Sequence, residues 1–184
     1  MEWNIPGTVL TVPVEETEHI PEKLTAMFLG GGMVLSQVAA VTGLEPYTVQ
    51  NWVKRGFLTK PVNKKYTLRQ LCRIININML KDALPMEKIC GLLGYVNGEL
   101  DDEADDLIDD SALYFMFVDL ASRVRHIGGD LEWGEAIGGV LEKYDEPVPG
   151  ARERVATVLR IMLTAWIASQ LSIQASDMVA KLGN

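Results

Sequence analysis

LSQVAAVTGLEPYTVQNW, residues 35–52, is the stretch that decides the fold of this chain. Ala39 lies four residues before Gly43, Val49 six after it and Trp52 nine after it, the spacing of two short helices joined by a tight turn. Ala39 is small where one helix must pass close to the next, and Gly43 can take the positive φ of the turn at little steric cost. Leu44, Val49 and Trp52 then point back onto the first helix. Tyr47, Thr48, Gln50, Asn51 and Lys54 are left facing outward, with polar groups able to reach the edges of a DNA groove.

The flanking residues extend the pattern. The first helix is expected over about residues 34–41, with Val38 and Val41 on its apolar side. Pro46 suits the first turn of the second helix, where its missing N–H costs nothing, and Glu45 sits at the positive end of that helix dipole. Gly56 suits a C-terminal cap after Lys54 and Arg55. Phe57-Leu58 starts an extended segment, Pro61 interrupts it, and Asn63-Lys64-Lys65-Tyr66 leads back toward a new helix. This reads as a short two-stranded wing with lysines at its tip, a phosphate clamp beside the outward-facing helix. Thr67 and Gln70 form a capping-box pair for a helix with a wide apolar face, including Leu71, Ile74 and Ile75. Pro85 opens one more helix, carrying Ile89, Leu92 and Leu93 and closing at Gly94.

Charge follows the same division. The chain has 184 residues and a net charge of -8. Residues 33–98 nevertheless hold nine basic and three acidic side chains, against one and five in residues 1–32 and seven and seventeen in residues 99–184. A basic island inside an acidic chain points to one module that meets phosphate while the rest does not.

The order of helix-turn-helix, Gly-Phe-Leu, wing, tyrosine-led helix and Pro-Met-Glu-Lys-Ile helix resembles the winged DNA-binding domain of MerR-type regulators. TVQNWVKRGFL (48–58), NKKYTLRQL (63–71) and INMLKDALPMEKI (77–89) resemble more closely a bacterial family known only as a domain of unknown function, itself similar to MerR in its basic module. The likeness covers residues 34–98 and, with the closer family, most of the chain. It implies a DNA-binding transcriptional regulator. The helix over residues 46–55 would enter the major groove with Tyr47, Thr48, Gln50, Asn51, Lys54 and Arg55, and Lys64, Lys65 and Tyr66 would lie on the backbone. MerR-type recognition helices read Thr-Leu-Arg-Tyr-Tyr-Glu where this chain has Thr48-Val49-Gln50-Asn51-Trp52-Val53. Glutamine and asparagine in place of the arginine and first tyrosine read adenine bidentately, so A·T-containing sites are expected.

Blander roles fit the same residues. Two helices and a turn also serve as a plain packing motif, Trp52 suits the core as well as a base stack, and Lys64-Lys65 suits a soluble turn. Tyr66 fits beneath the wing as well as on the backbone. Cys72 and Cys90 fit as buried small hydrophobes or as redox-sensitive thiols.

Beyond Asn97-Gly98, a turn signal, come eight carboxylates in residues 99–110. No register places a glycine at the sixth position of a calcium loop, so an EF-hand is excluded. A solvated, self-repelling linker, a divalent-ion site, and a segment folded against the basic module in competition with DNA are the three readings. Helical periodicity then resumes with Leu113, Phe117, Leu120 and Val124. Gly128-Gly129 breaks it, a shorter helix carries Trp133, Ile137, Val140, Leu141 and Tyr144, and residues 146–150 break it again. A last helix over about residues 151–181 contains the apolar stretch 155–173. Arg160 and several hydroxyl and amide side chains inside that stretch favour a bundle core or a dimer interface over a membrane span.

No catalytic constellation emerges. His19 and His126 stand apart, and Gly30-Gly31-Gly32 lacks the lysine and second glycine of a phosphate loop, reading instead as a hinge. Glu2 and proline-broken segments at the start do not make a signal peptide, and two cysteines are too few for a disulfide framework, so a reducing cytoplasm is expected. The expected architecture is all-α, apart from the small β wing. Residues 1–32 form an arm, 33–98 a MerR-like winged helix-turn-helix domain, and 99–184 an acidic helical domain for dimerisation or regulation. The expected protein is no enzyme and needs no cofactor. It pairs as a homodimer on double-stranded DNA, with room for a small-molecule effector among the last helices. The competing expectation is a protein-interaction adaptor that uses the same surface without DNA.

Overall fold

The computed structural model describes residues 1–124 and 130–182; His126 and the break expected at Gly128-Gly129 lie outside the described residues. In chain order the elements are β1 (Glu2–Asn4), β2 (Thr11–Pro13), a 3-10 turn (Val14–His19), α1 (Ile20–Ala26), β3 (Met33–Val34), α2 (Leu35–Thr42), α3 (Pro46–Lys54), β4 (Lys65–Tyr66), α4 (Leu68–Leu80), α5 (Met86–Asn97), α6 (Asp110–Val124), α7 (Asp130–Val140) and α8 (Ala151–Leu182). The fold is mostly helical, with two small antiparallel sheets, β1–β2 and β3–β4.

Gly43 turns the chain between α2 and α3 at φ +70, its N–H donating to the carbonyl of Ala39 at 2.9 Å. Pro46 occupies the first turn of α3. At the other end Gly56, at φ +78, donates to Val53 at 3.1 Å while Phe57 N–H donates to Trp52 at 2.9 Å. This 5→2 and 6→1 pair satisfies two of the carbonyls a helix end leaves free. Val49 and Trp52 are buried against Val38 and Val41 in one core, which assigns Trp52 to packing.

The hairpin after α3 is smaller than the spacing predicts. Its only internal bridge is Val62 to Lys65, and the ladder partner of β4 is β3, from before α2, with Met33 opposite Tyr66 and Val34 opposite Lys65. Pro61, with no N–H to give, stops the hairpin's own ladder from extending. Asn63 (φ 50) and Lys64 (φ 62) form a two-residue turn with both central residues left-handed, closed by Lys65 N–H to Val62 O at 2.9 Å. The Thr67–Gln70 capping box expected for α4 is present in both directions, at 3.2 and 2.9 Å.

Residues 1–32, expected as an arm on a glycine hinge, are tied into the body. Ile5, Val12, Ile20 and Leu24 are buried. Tyr114 Oη donates to the Pro6 carbonyl at 2.9 Å, and Asn78 Nδ2 donates to the carbonyls of Gly7 and Thr42, both at 2.9 Å. The glycine run is pinned too, because Lys65 Nζ donates to Gly30 O at 3.2 Å.

Helix α4 is the centre of the molecule, with nine of its thirteen residues buried. It packs on α2, α5, α6 and α8, so helices from both sides of the charge boundary share one core. The first half of α8 contributes Val155, Val158, Leu159, Met162 and Leu163, and Trp166 meets Phe117 edge to face at 5.9 Å. Helix α8 is long and apolar enough to cross a membrane by length and composition; here its buried half is a bundle helix.

The acidic run is no free linker, and that expectation is corrected. Arg69 pairs with Asp106 at 2.8 Å and Glu103 at 3.1 Å, and Arg73 pairs with Asp110 at 3.3 Å. Leu107 N–H donates to Val96 O at 2.8 Å, Asn97 Nδ2 donates to Ile108 O, and Ile108 is buried. Leucine and isoleucine set among the carboxylates let the segment bury, and arginines one helical turn apart receive it. Burial pushes the Asp110 carboxyl up, with Arg73 opposing. Burial likewise raises Asp106 to about 6 against the pull of Arg69, and its Oδ1 is buried without a partner.

Two predictions follow from this packing. Gly43→Ala would force a left-handed alanine whose Cβ sits 2.6 Å from Val9 Cγ1. Chemical denaturation should show a loss of about 2 kcal/mol or more; a loss under a few tenths would mean that the turn is not held as described. For Asp106, the folded state holds a proton that the unfolded chain has lost between pH 3.8 and about 6. Stability therefore falls as pH rises through that window and stays lower above it. Asp106→Asn should raise the melting temperature at neutral pH and lose that advantage below pH 3.8. A lower melting temperature at neutral pH would show that the Arg69 pairing outweighs burial.

Candidate nucleic-acid interface

Helix α3 presents Tyr47, Gln50, Asn51 and Lys54 to solvent. Their spacing of three, one and three puts all four on one face, opposite the buried Val49 and Trp52. Tyr47 is 70% exposed, a large aromatic ring left in water on that face. Thr48 is half-buried in the first turn, its N–H donating to Glu45 O at 2.9 Å, so it stands at the edge of the face.

Arg55 is placed differently from the other five α3 candidates. It caps the helix, stacks its guanidinium 4.5 Å above the Phe57 ring, and lies 3.7 Å from Glu87 on α5. Lys64 and Lys65 are exposed at the hairpin. Tyr66 does not join them. It is 3% exposed, and burial raises its phenol pKa. Its assignment to the backbone-contacting set is corrected, because the ring lies beneath the hairpin, where β4 turns it inward opposite Met33.

A groove of about 590 Å³ separates α3 from the hairpin, with Gln50 and Val53 on one wall, Pro61 and Lys64 on the other, and Val34, Leu35 and Tyr66 also lining it. Gln70 fixes the hairpin's root. Its amide nitrogen donates to Thr59 Oγ1 at 2.8 Å and to the carbonyls of Thr59 and Lys60 at 3.2 Å. Sequence reasoning saw Gln70 only as a cap. Its free amide end, facing back along a chain reversal of ten residues, was the one available sign of the second role.

The cations sort into two groups. Arg55, Arg69, Arg73 and Lys81 each have a carboxylate within 4.0 Å. Among the described residues, Lys54, Lys60, Lys64 and Lys65 form no ion pair, and all four are exposed. Lys88 on α5 is exposed and without an ion pair as well, so four of the five cations available to an outside anion lie around α3 and the hairpin. The arrangement offers amide groups for hydrogen-bond recognition and ammonium groups for phosphate. The Cys72 thiol is buried and held well above its usual pKa, and Cys90, half-buried, is raised as well. Among the described residues no three His, Cys, Asp or Glu side chains group as a metal site.

Comparison with known proteins finds no curated protein and no solved structure that matches the chain. One family model does match, over residues 33–117. That span runs from β3 through the acidic segment into α6, beyond the basic island. Its description is Domain of unknown function (DUF1836), and a DUF1836 domain is thus found at residues 33–117 of this chain.

Proposed function

We propose that this chain is a DNA-binding transcriptional regulator of MerR-like type, working in a bacterial cytoplasm. It reads the major groove with residues 46–55 and phosphates with the lysines of the hairpin. The observation that carries this reading is the single exposed face of α3, where Tyr47, Gln50, Asn51 and Lys54 lie together beside unpaired lysines. The arginines of α4, meanwhile, are neutralised from within. Gln50 and Asn51 supply the paired donor and acceptor that match an adenine edge. Lys54, Lys60, Lys64 and Lys65 neutralise phosphates on either side. Tyr66 and Gln70 act beneath the surface, fixing the hairpin's height and angle against α3. One module of this size makes few phosphate contacts, so two copies on two half-sites are part of the proposal.

A second reading has one observation of its own. The groove between α3 and the hairpin is lined largely by apolar groups, which would also suit a side chain of a protein partner in an adaptor without DNA binding.

A selection from genomic fragments, run with the wild type and a Gln50→Ala, Asn51→Ala double variant, separates these readings. The regulator reading expects an enriched motif that vanishes in the variant. No enrichment at low salt sinks it in favour of the adaptor. Salt titration gives a quantitative check: four lysines on phosphate predict a log-log slope of about -3.6 per copy, whereas all nine cations of the island would give about -8. Lys64→Gly offers a third test. Relief of the left-handed strain should stabilise the fold by up to about 1 kcal/mol. Loss of the ammonium should weaken binding to every sequence alike and flatten the slope by about one. Unchanged DNA affinity would remove Lys64 from the interface.

A further inference from the structure

From residue 170 to residue 182, α8 has no buried residue. Thirteen residues of helix, about 20 Å long, carry Leu171, Met178, Val179 and Leu182 exposed to solvent. A helix of this length without tertiary contacts is marginal in water. All of these side chains are exposed, Ile173 and Val179 among them, and one strip along the helix keeps a regular spacing. Positions 161, 164, 168, 171, 175, 178 and 182 carry Ile, Thr, Ala, Leu, Ala, Met and Leu, and every one is exposed. Spacings alternate strictly between three and four, the 3.5-residue period of a two-helix seam. A membrane-facing helix would be apolar on all sides, but Gln170, Ser172, Gln174, Asp177 and Lys181 occupy the flanks of this one.

The same molecule carries a groove near the start of this helix. It lies between α7 and α8, has a volume of about 640 Å³, and is lined by Gly134, Ile137 and Gly138 on one side and Ala156, Thr157 and Ile161 on the other. A Cβ built on Gly138 would meet nothing within 4 Å, and one on Gly134 only Arg160 Nη2 at 3.8 Å. Glycine inside a helix costs about 1 kcal/mol against alanine. Two of them four residues apart, both without a neighbour that needs the space, leave a lane for another backbone.

We propose that two copies of this chain pair antiparallel through α8, the seam of each lying on the seam of the other and the end of each stretch, residues 178–182, reaching the α7–α8 groove of the other. The seam then sets Ile161 opposite the partner's Met178 and Ala168 opposite the partner's Leu171. Every contact occurs twice, as a two-fold interface requires. Charge order selects the antiparallel sense. The groove carries Glu146, Arg152, Glu153 and Arg160, and the stretch carries Asp177 and Lys181. Antiparallel alignment brings Arg160 toward the partner's Asp177. Parallel alignment would oppose Asp177 to its own copy and leave both grooves empty. The pairing deepens the two-copy arrangement proposed above but uses no DNA contact, so it stands or falls separately from DNA binding.

Sedimentation equilibrium of the full chain without DNA tests it. The wild type should be a dimer that dissociates on dilution, and Met178→Glu with Leu182→Glu should be monomeric. Both side chains are exposed in a single copy, so the far-UV spectrum of the α1–α7 body should be retained. Arg160→Asp and Asp177→Arg should each weaken the dimer about tenfold, and the two together should restore it. A monomeric wild type, or a dimer indifferent to the glutamates, overturns the proposal. Failure of the double swap to restore pairing overturns the antiparallel register. Flotation of the wild type with lipid vesicles, lost in the glutamate variant, would overturn it in favour of a membrane surface.

Discussion

Arg73 and Asp110 make a buried ion pair on which the arrangement of α3 and α6 around α4 depends. The guanidinium donates from Nε to the Phe57 carbonyl at 3.0 Å and from Nη1 to Asp110 at 3.3 Å. Phe57 is where the chain leaves α3, and Asp110 is where α6 begins. One side chain on α4 thus joins the exit of the exposed helix to the start of the next layer. Taking two charges out of water is costly, and the cost is offset only where the remaining hydrogen-bonding groups are satisfied. Arg73 meets that condition with the Phe57 carbonyl, and Asn76 Nδ2 adds a bond to the Asp110 backbone at 3.4 Å. Removing one partner would strand the other charge in the core, a far larger loss than any surface pair could cause.

This joint also divides labour among the cations. The planar guanidinium of arginine can bind a carboxylate and a carbonyl at once and is the less strongly hydrated of the two cationic groups, which suits it to burial. Arg69 and Arg73 are accordingly spent on the acidic segment. Lysine keeps a hydrated point charge on a flexible stem, and Lys54, Lys60, Lys64 and Lys65 stay in solvent. Charge counted along the chain cannot make this separation. The whole-chain value of -8 understates the local positive field, and the nine cations of residues 33–98 overstate it.

Local rules made the α2–α3 unit legible before any coordinates. A positive-φ glycine at Gly43, a first-turn proline at Pro46, the Gly56 cap and the Thr67–Gln70 box are each set by residues within a few positions of one another. What depended on distant partners stayed hidden. Nothing near Lys65 in sequence says that its strand pairs with Met33–Val34, and the turn chemistry at Asn63 and Lys64 pointed to a self-contained hairpin. The carboxylates of residues 99–110 looked solvated because their partners lie more than thirty residues back on α4. Tyr66 was ambiguous for a related reason: in a strand, a shift of one residue exchanges inside for outside, and only the pairing with β3 fixes which side it takes.

The proposed function asks two geometric questions of the fold, and one helix bears on both. Reading a groove requires a fixed relation between α3 and the hairpin, which Gln70 and Arg73 set from α4. Reading two half-sites would require a fixed distance between copies, which the proposed pairing assigns to α8, and α8 packs on α4 as well. Because α4 is buried over most of its length, neither relation is free to drift. The exposed apolar seam and the strained Lys64 turn lie outside this frame, where their cost to stability is local. The proposed function draws on that placement: the scaffold is buried, and the groups left uncompensated are the exposed ones it assigns to a partner.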